Sequence, residues 1–145
     1  MLVLGLGGCG SDPPGSVAYE QPAIDLAACA ASASSCVRQG TVTTVESLVP
    51  GDDQIIKLGP GASITAPLQR PSPTTKLAYL VVTVRAIDTK IAVKIDGAID
   101  TVILPMNGYS RTEVEAKRVV PGDTITIRSL TGDAELVYVE GRWND

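Results

Sequence analysis

The residues of this chain best equipped for chemistry are its carboxylates. Asp52, Asp53, Asp88, Asp96, Asp100, Asp123 and Asp133 could supply paired acids, and Glu113 and Glu115 stand two apart. Two carboxylates can divide acid and base work on a glycosidic bond when a cleft fixes their separation. Most of these aspartates sit in turn-like sequence beside Gly or Pro, where Asp closes turns through its own side chain. Glu113 and Glu115 would share one solvent-facing side of a strand. The chain has no histidine, which removes the usual general base, the serine triad and the commonest metal ligand together. Its three cysteines, Cys9, Cys29 and Cys36, match no zinc spacing. Neither catalysis nor a metal or other cofactor is expected.

Aromatic stacking is the chemistry that remains. Sugars present apolar C–H faces to Tyr and Trp, while their hydroxyls seek polar side chains. Tyr109 follows Asn107-Gly108 in what reads as a loop between strands, so its ring is expected at the surface. Trp143 is expected to pack a sandwich edge, because Trp is mostly buried. Tyr79 and Tyr138 fall within strand-like sequence, as core or cross-strand neighbours. The net charge of -4 and the absence of a Lys/Arg cluster argue against a nucleic-acid partner.

The elements that must position these residues read as strands. At 145 residues the chain is long enough for one domain. With no Phe and one Trp, its core must be filled by Val, Ile, Leu and Ala, which suits a thin sandwich interior. Strand-like runs cover 41–49, 54–58 and 63–68. The run 77–87 is apolar with weak alternation, as a central strand covered on both faces would be. Residues 90–95 alternate cleanly, with Ile91, Val93 and Ile95 inward. Asp96-Gly97 signals a hairpin, and 99–104, 112–119, 124–130 and 135–143 follow as further strands. Pro105 to Gly108 and Pro121-Gly122-Asp123 read as turns; the latter echoes Pro50-Gly51-Asp52. The expectation is an all-β fold: an antiparallel β-sandwich or jelly roll of about eight to nine strands, over 40–145, with an N-terminal extension.

That extension divides into 1–8, a possible signal remnant; 9–22, a Pro- and Gly-bearing tether; and 23–39, an Ala/Ser-rich lead-in. Leu6-Gly7-Gly8-Cys9 resembles a bacterial lipobox, which implies an acyl chain on Cys9 and an exported, membrane-anchored or cell-surface protein. The other reading is a frayed apolar terminus with an incidental Cys, since no Lys or Arg precedes the short apolar stretch. Cys29 and Cys36 are expected to be bridged in an oxidising compartment. The alternative is two unpaired core thiols. A helix through both would hold them about 10.5 Å apart, beyond the roughly 7 Å that a disulfide spans. A bridged, irregular loop is therefore expected in place of a helix over 22–39.

Residues 77–139 resemble the C-terminal half of family 6 and family 35 carbohydrate-binding modules. The resemblance runs through Tyr79-Leu80-Val81-Val82-Thr83-Val84-Arg85, Val93-Lys94-Ile95-Asp96-Gly97, Val102-Ile103-Leu104-Pro105 with Gly108-Tyr109, Pro121-Gly122-Asp123-Thr124-Ile125-Thr126-Ile127 and Glu135-Leu136-Val137-Tyr138-Val139-Glu140. It implies a galactose-binding-like jelly roll. The family's aromatic after the Pro…Gly loop corresponds to Tyr109, and its polar ligand residue before the last strand falls at Asp133 to Glu135. Tyr109, Asp133 and Glu135 are thus the implied ligand-binding residues, and Glu46 stands nearest the family's acidic calcium signature. The expected partner is a glycan or other surface polymer, with membrane contact only through a lipid at Cys9. The alternative is a structural subunit of a cell-surface or virion assembly. It would form homo-oligomers or larger arrays and dock through an arm over 9–39.

Overall fold

A computed structural model describes residues 19–45, 55–95, 102–115 and 123–144. Cys9, Glu46, the Asp96-Gly97 hairpin and the Pro50-Gly51-Asp52 echo lie outside the described residues. The described residues form nine strands and one helical turn: β1 (Tyr19–Pro22), α1 (Leu26–Ala30), β2 (Val37–Gln39), β3 (Val42–Val45), β4 (Ile55–Leu58), β5 (Ser63–Pro67), β6 (Lys76–Ile95), β7 (Val102–Glu115), β8 (Thr124–Ser129) and β9 (Ala134–Asn144). All the pairings are antiparallel, and the fold is the expected β-sandwich.

The architecture turns on β6, whose 20 residues would span about 65 Å if straight. Its first half pairs with β9 over Lys76–Ala86 and its second half with β8 over Ile91–Ile95, while β7 follows it on the other edge. The β6–β7 hairpin therefore belongs to two layers. One layer runs β3-β4-β9-β6-β7, with β1 added beside β9; the other runs β2-β5-β8-β6-β7. Between them lies a core of small and β-branched side chains. Ile56, Leu58, Leu80, Val82, Val84 and Leu136 come from the first layer, and Ile64, Ile91, Val93, Met106, Ile125 and Ile127 from the second. Leu80, Val81, Val82, Thr83 and Val84 are all buried, so the run with weak alternation is covered on both faces. Ile91, Val93 and Ile95 point inward as their alternation requires.

Two pairs of expected strands are single strands. The break expected between 87 and 90 is a bulge in β6: pairing passes from Ala86↔Gly108 to Thr89↔Met106, so Ile87 and Asp88 oppose Asn107 alone. Likewise, Pro105 to Gly108 forms no reversing turn but the middle of β7. Proline is tolerated there because its partner Lys90 turns its own N–H and carbonyl to Thr131 and Leu130, and β7 is an edge among the described strands. Gly108 takes the positive φ (65°) that the kink requires.

The N-terminal segment also differs from expectation. Residues 19–22, read as the end of a tether, form a strand on β9, and the 23–39 segment is part of the fold: Ala23, Ile24, Leu26, Cys29 and Cys36 enter the core. Cys29 and Cys36 are bridged, with Cα atoms 5.1 Å apart. The loop is not wholly irregular, since α1 precedes it, capped by Asp25, whose carboxylate accepts the Ala28 N–H at 3.1 Å. A helix through both cysteines is excluded; a single turn ending at Ala30 carries Cys29 alone and lets the chain turn back to Cys36. Arg38 ties this loop down by donating to the Cys29 carbonyl (3.3 Å), the Ser32 hydroxyl and the Val42 carbonyl.

Candidate functional site

The bulge sets the site. An extra residue re-aims the side chains around it and sharpens the local bend. Here the backbone on the opposite strand is stitched by Ser110, whose hydroxyl donates to the Asn107 carbonyl at 2.8 Å. Next to this kink, Tyr109 stands on the outer face of β7 with its side chain well exposed, at 65%. It is at the surface as expected, but from a strand and not from a loop.

Register then builds the floor. Tyr109 pairs with Arg85 of β6, Arg85 with Glu135 of β9, and Glu135 with Lys57 of β4. One row across four strands therefore reads Tyr, Arg, Glu, Lys. Arg85 donates from Nε to Glu135 Oε1 at 2.8 Å, and its Nη2 lies 2.6 Å from the same oxygen. Asp133, just before β9, places Oδ2 3.4 Å from Lys57 Nζ. The row opens into a groove of ≈ 330 Å³ lined by Lys57, Arg85, Ala86, Ile87, Gly108, Tyr109, Asp133 and Glu135. That volume lies at the small end of the range for ligand sites.

The structure thus brings Tyr109, Asp133 and Glu135 into one groove, although 24 residues of sequence separate the first two. It adds Lys57, Arg85 and Ile87, which sequence reasoning missed. Arg85 and Lys57 belong to the groove only through strand register, a non-local property. Ile87 is 93% exposed and lines the same groove as Tyr109, an apolar side chain beside the ion pairs. The two cations and two carboxylates pair with each other, so the groove is charge-balanced. Arg85 and Glu135 hold each other in place, and the exposed Tyr109 stands beside them in the row. Such a surface suits a neutral, hydroxyl-rich ligand with an apolar face.

Trp143, Tyr138 and Tyr79 lie outside this groove. Trp143 is fully buried, with the Arg70 guanidinium 5.6 Å from its ring centroid. Tyr138 is half-buried and Tyr79 37% exposed. Glu113 and Glu115 face solvent as expected, and Glu113 accepts from Arg142 at 3.1 Å. Among the described residues, no three Cys, Asp or Glu side chains gather as a metal site. No helix among them is long and apolar enough to cross a membrane.

No family model and no curated protein sequence matches the chain. Solved structures do match its fold. A native family 35 carbohydrate-binding module from Clostridium thermocellum is 9% identical, with a TM-score of 0.60 over 86% of this chain and 98% of that one. The carbohydrate-binding module CBM6cm-2 from Cellvibrio mixtus lichenase 5A, in complex with cellotriose, is 14% identical, with a TM-score of 0.52 over 90% and 98%. The exo-β-1,3-galactanase of Phanerochaete chrysosporium, with galactose, is 13% identical with a TM-score of 0.59 over 87% of this chain. The chain spans 30% of that enzyme, and 26% of the Agl-KA catalytic domain, which it also resembles. The jelly-roll fold of family 6 and family 35 modules is therefore the fold of this chain.

Proposed function

We propose that this protein is a non-catalytic binding module that holds a neutral glycan in the Tyr109 groove, outside the cytoplasm. The observation that carries the reading is the convergence of an exposed aromatic ring with four paired, polar side chains in one groove. A pyranose laid on Tyr109 would turn its hydroxyls toward Arg85, Glu135, Lys57 and Asp133. Fixed ion pairs accept and donate hydrogen bonds with little further ordering, which favours affinity for a flexible ligand. The shared fold with a module crystallised with cellotriose is in keeping with this, and so is the Cys29–Cys36 bridge with an oxidising location. We place the anchor, if cleavage occurs at the lipobox, on Cys9. Mass spectrometry of the protein from its native membrane fraction tests that point: a diacylglyceryl-modified Cys9 is expected, and an intact N-terminus with a free thiol refutes it.

The assembly reading required an arm reaching to residue 39. Residues 19–39 instead fold back onto their own sheet and core, so such an arm cannot extend past residue 18. The glycan reading is tested on a neutral-oligosaccharide array, followed by calorimetry of the full chain and of Tyr109→Ala. Binding to at least one glycan, weakened tenfold or more by the substitution, is expected. An array with no hits, or a hit indifferent to Tyr109, overturns it.

A further inference from the structure

A cavity of ≈ 240 Å³ opens where the chain passes from β1 into α1, and it shares no residue with the Tyr109 groove. One edge of β9 is paired by β4 over Ala134–Leu136 and by β1 over Glu140–Trp143. Between these partners the Ala23 N–H donates to the Val139 carbonyl at 2.8 Å, so residues 22–27 run along β9 and wall off the cavity. Its lining is of two kinds. Pro22, Ile24, Leu26, Ala27 and Val139 are apolar, whereas Asp25, Glu140, Tyr138 and Gln69 bring polar groups.

Tyr138 and Glu140 stand two apart on β9 and so share its outer face, both half-buried. Among the described residues, the Glu140 side chain has neither an ion pair nor a hydrogen bond. Asp25 Oδ1 accepts the Ala28 N–H at 3.1 Å, and an ionised carboxylate keeps acceptor sites beyond that one bond. The lining therefore holds two carboxylates and no Lys or Arg. The next outward residue of β9, Arg142, is engaged by Glu20 and Glu113, each at 3.1 Å. Arg111 shares the Tyr138 row but lies across β6, about 10 Å away. Two carboxylates are too few for a calcium cage, which takes about six to eight oxygens.

We propose that this cavity binds a primary alkylammonium, its charged head between Glu140 and Asp25 and its methylenes along Pro22, Ile24 and Val139. Amines of this kind lay their stems on apolar surface and keep the head with polar groups. An ammonium has three donors and no acceptor, which matches two carboxylates and the Gln69 amide. Tyr138 adds an aromatic ring, whose face attracts a cation. A volume below that of drug-sized pockets suits a single unbranched chain. The same chemistry belongs to a lysine side chain of a partner polypeptide and to a free polyamine. The Tyr109 groove differs, since its cations and carboxylates pair with each other, and neither site depends on the other.

The test is amide chemical-shift mapping of the isotope-labelled full chain with n-pentylamine, 1-pentanol, spermidine, and a blocked glycine pentapeptide with one central lysine, free or Nε-acetylated. Pentylamine should shift the amides of Asp25, Ala27, Tyr138 and Glu140 together and saturably. Pentanol and the acetylated peptide should bind at least tenfold more weakly than their charged counterparts. Asp25→Asn keeps a good N-cap without the charge, and Glu140→Gln keeps the shape. Each should weaken pentylamine at least threefold, so either carries the test should the other misfold. Tyr109→Ala should leave it unchanged, which separates failure here from failure of the Tyr109 reading. Tighter binding of the lysine peptide than of spermidine assigns a polypeptide source, and the reverse a free polyamine. No saturable shift with any amine, equal binding of 1-pentanol, or pentylamine affinity unchanged in the folded variants overturns the proposal.

Discussion

Reducing the Cys29–Cys36 bridge while leaving both sulfurs in place isolates what the crosslink contributes. Cys29 and Cys36 are both buried in the core, so reduction changes little apolar burial. The main loss is the restraint on the unfolded chain. For a sequence separation of 7, the chain-entropy relation gives about 2.4 kcal/mol at 25 °C. Domains of this size lose about 3 °C of Tm per kcal/mol, so reduction should lower Tm by about 7 °C. The segment it restrains supplies β2 at one sheet edge, while none of its residues lines the Tyr109 groove. Guanidinium unfolding with and without a phosphine reductant, followed by Trp143 fluorescence, measures the difference. A midpoint unchanged by complete reduction would refute the reasoning that the bridge holds the 23–39 segment through the unfolded state.

Three further substitutions probe the fold and the groove. Gly141→Ala would set a Cβ 2.6 Å from Trp143 Nε1 and 3.1 Å from Leu77 Cδ1, so it should destabilise by about 1–3 kcal/mol in a thermal melt. Arg38→Ala removes three donors that tie the bridged loop to β3, and should cost about 2 kcal/mol in denaturant. Glu135→Gln leaves Arg85 without its carboxylate; both are about a quarter exposed (29% and 26%), so a stability loss of roughly 1 kcal/mol is expected. Its effect on glycan affinity in calorimetry should be larger than its effect on Tm.

Local chemistry was legible and long-range register was not. The clean alternation of Ile91, Val93 and Ile95 gave their faces directly, and the covered run at Leu80 to Val84 betrayed a central strand. The bulge reads as a break in the sequence because Asp88 and Pro105 to Gly108 carry turn chemistry. Only the facing strand shows that the ladder resumes at Thr89↔Met106. The 23–39 segment reads as an Ala/Ser-rich lead-in with no periodicity, yet Ala23, Ile24, Leu26 and the cystine decide its position. In the groove, Tyr109 and the two carboxylates Asp133 and Glu135 could be placed by family resemblance. Arg85 and Lys57 could not, because their partnership with Glu135 and Asp133 rests on which strands lie side by side. Gly108 is the one local hint, since a glycine inside strand-like sequence marks a kink, here with positive φ.

The central claim is that the row Tyr109, Arg85, Glu135 and Lys57 receives a neutral sugar. Amide chemical-shift mapping of the isotope-labelled protein, titrated with cellotriose, xylotriose and β-1,4-galactotriose, tests it most directly. At least one of the three should shift the amides of Tyr109, Arg85, Asp133 and Glu135 together, in a saturable way that Tyr109→Ala abolishes. Saturable shifts confined to another surface, or none with any of the three, would contradict the account.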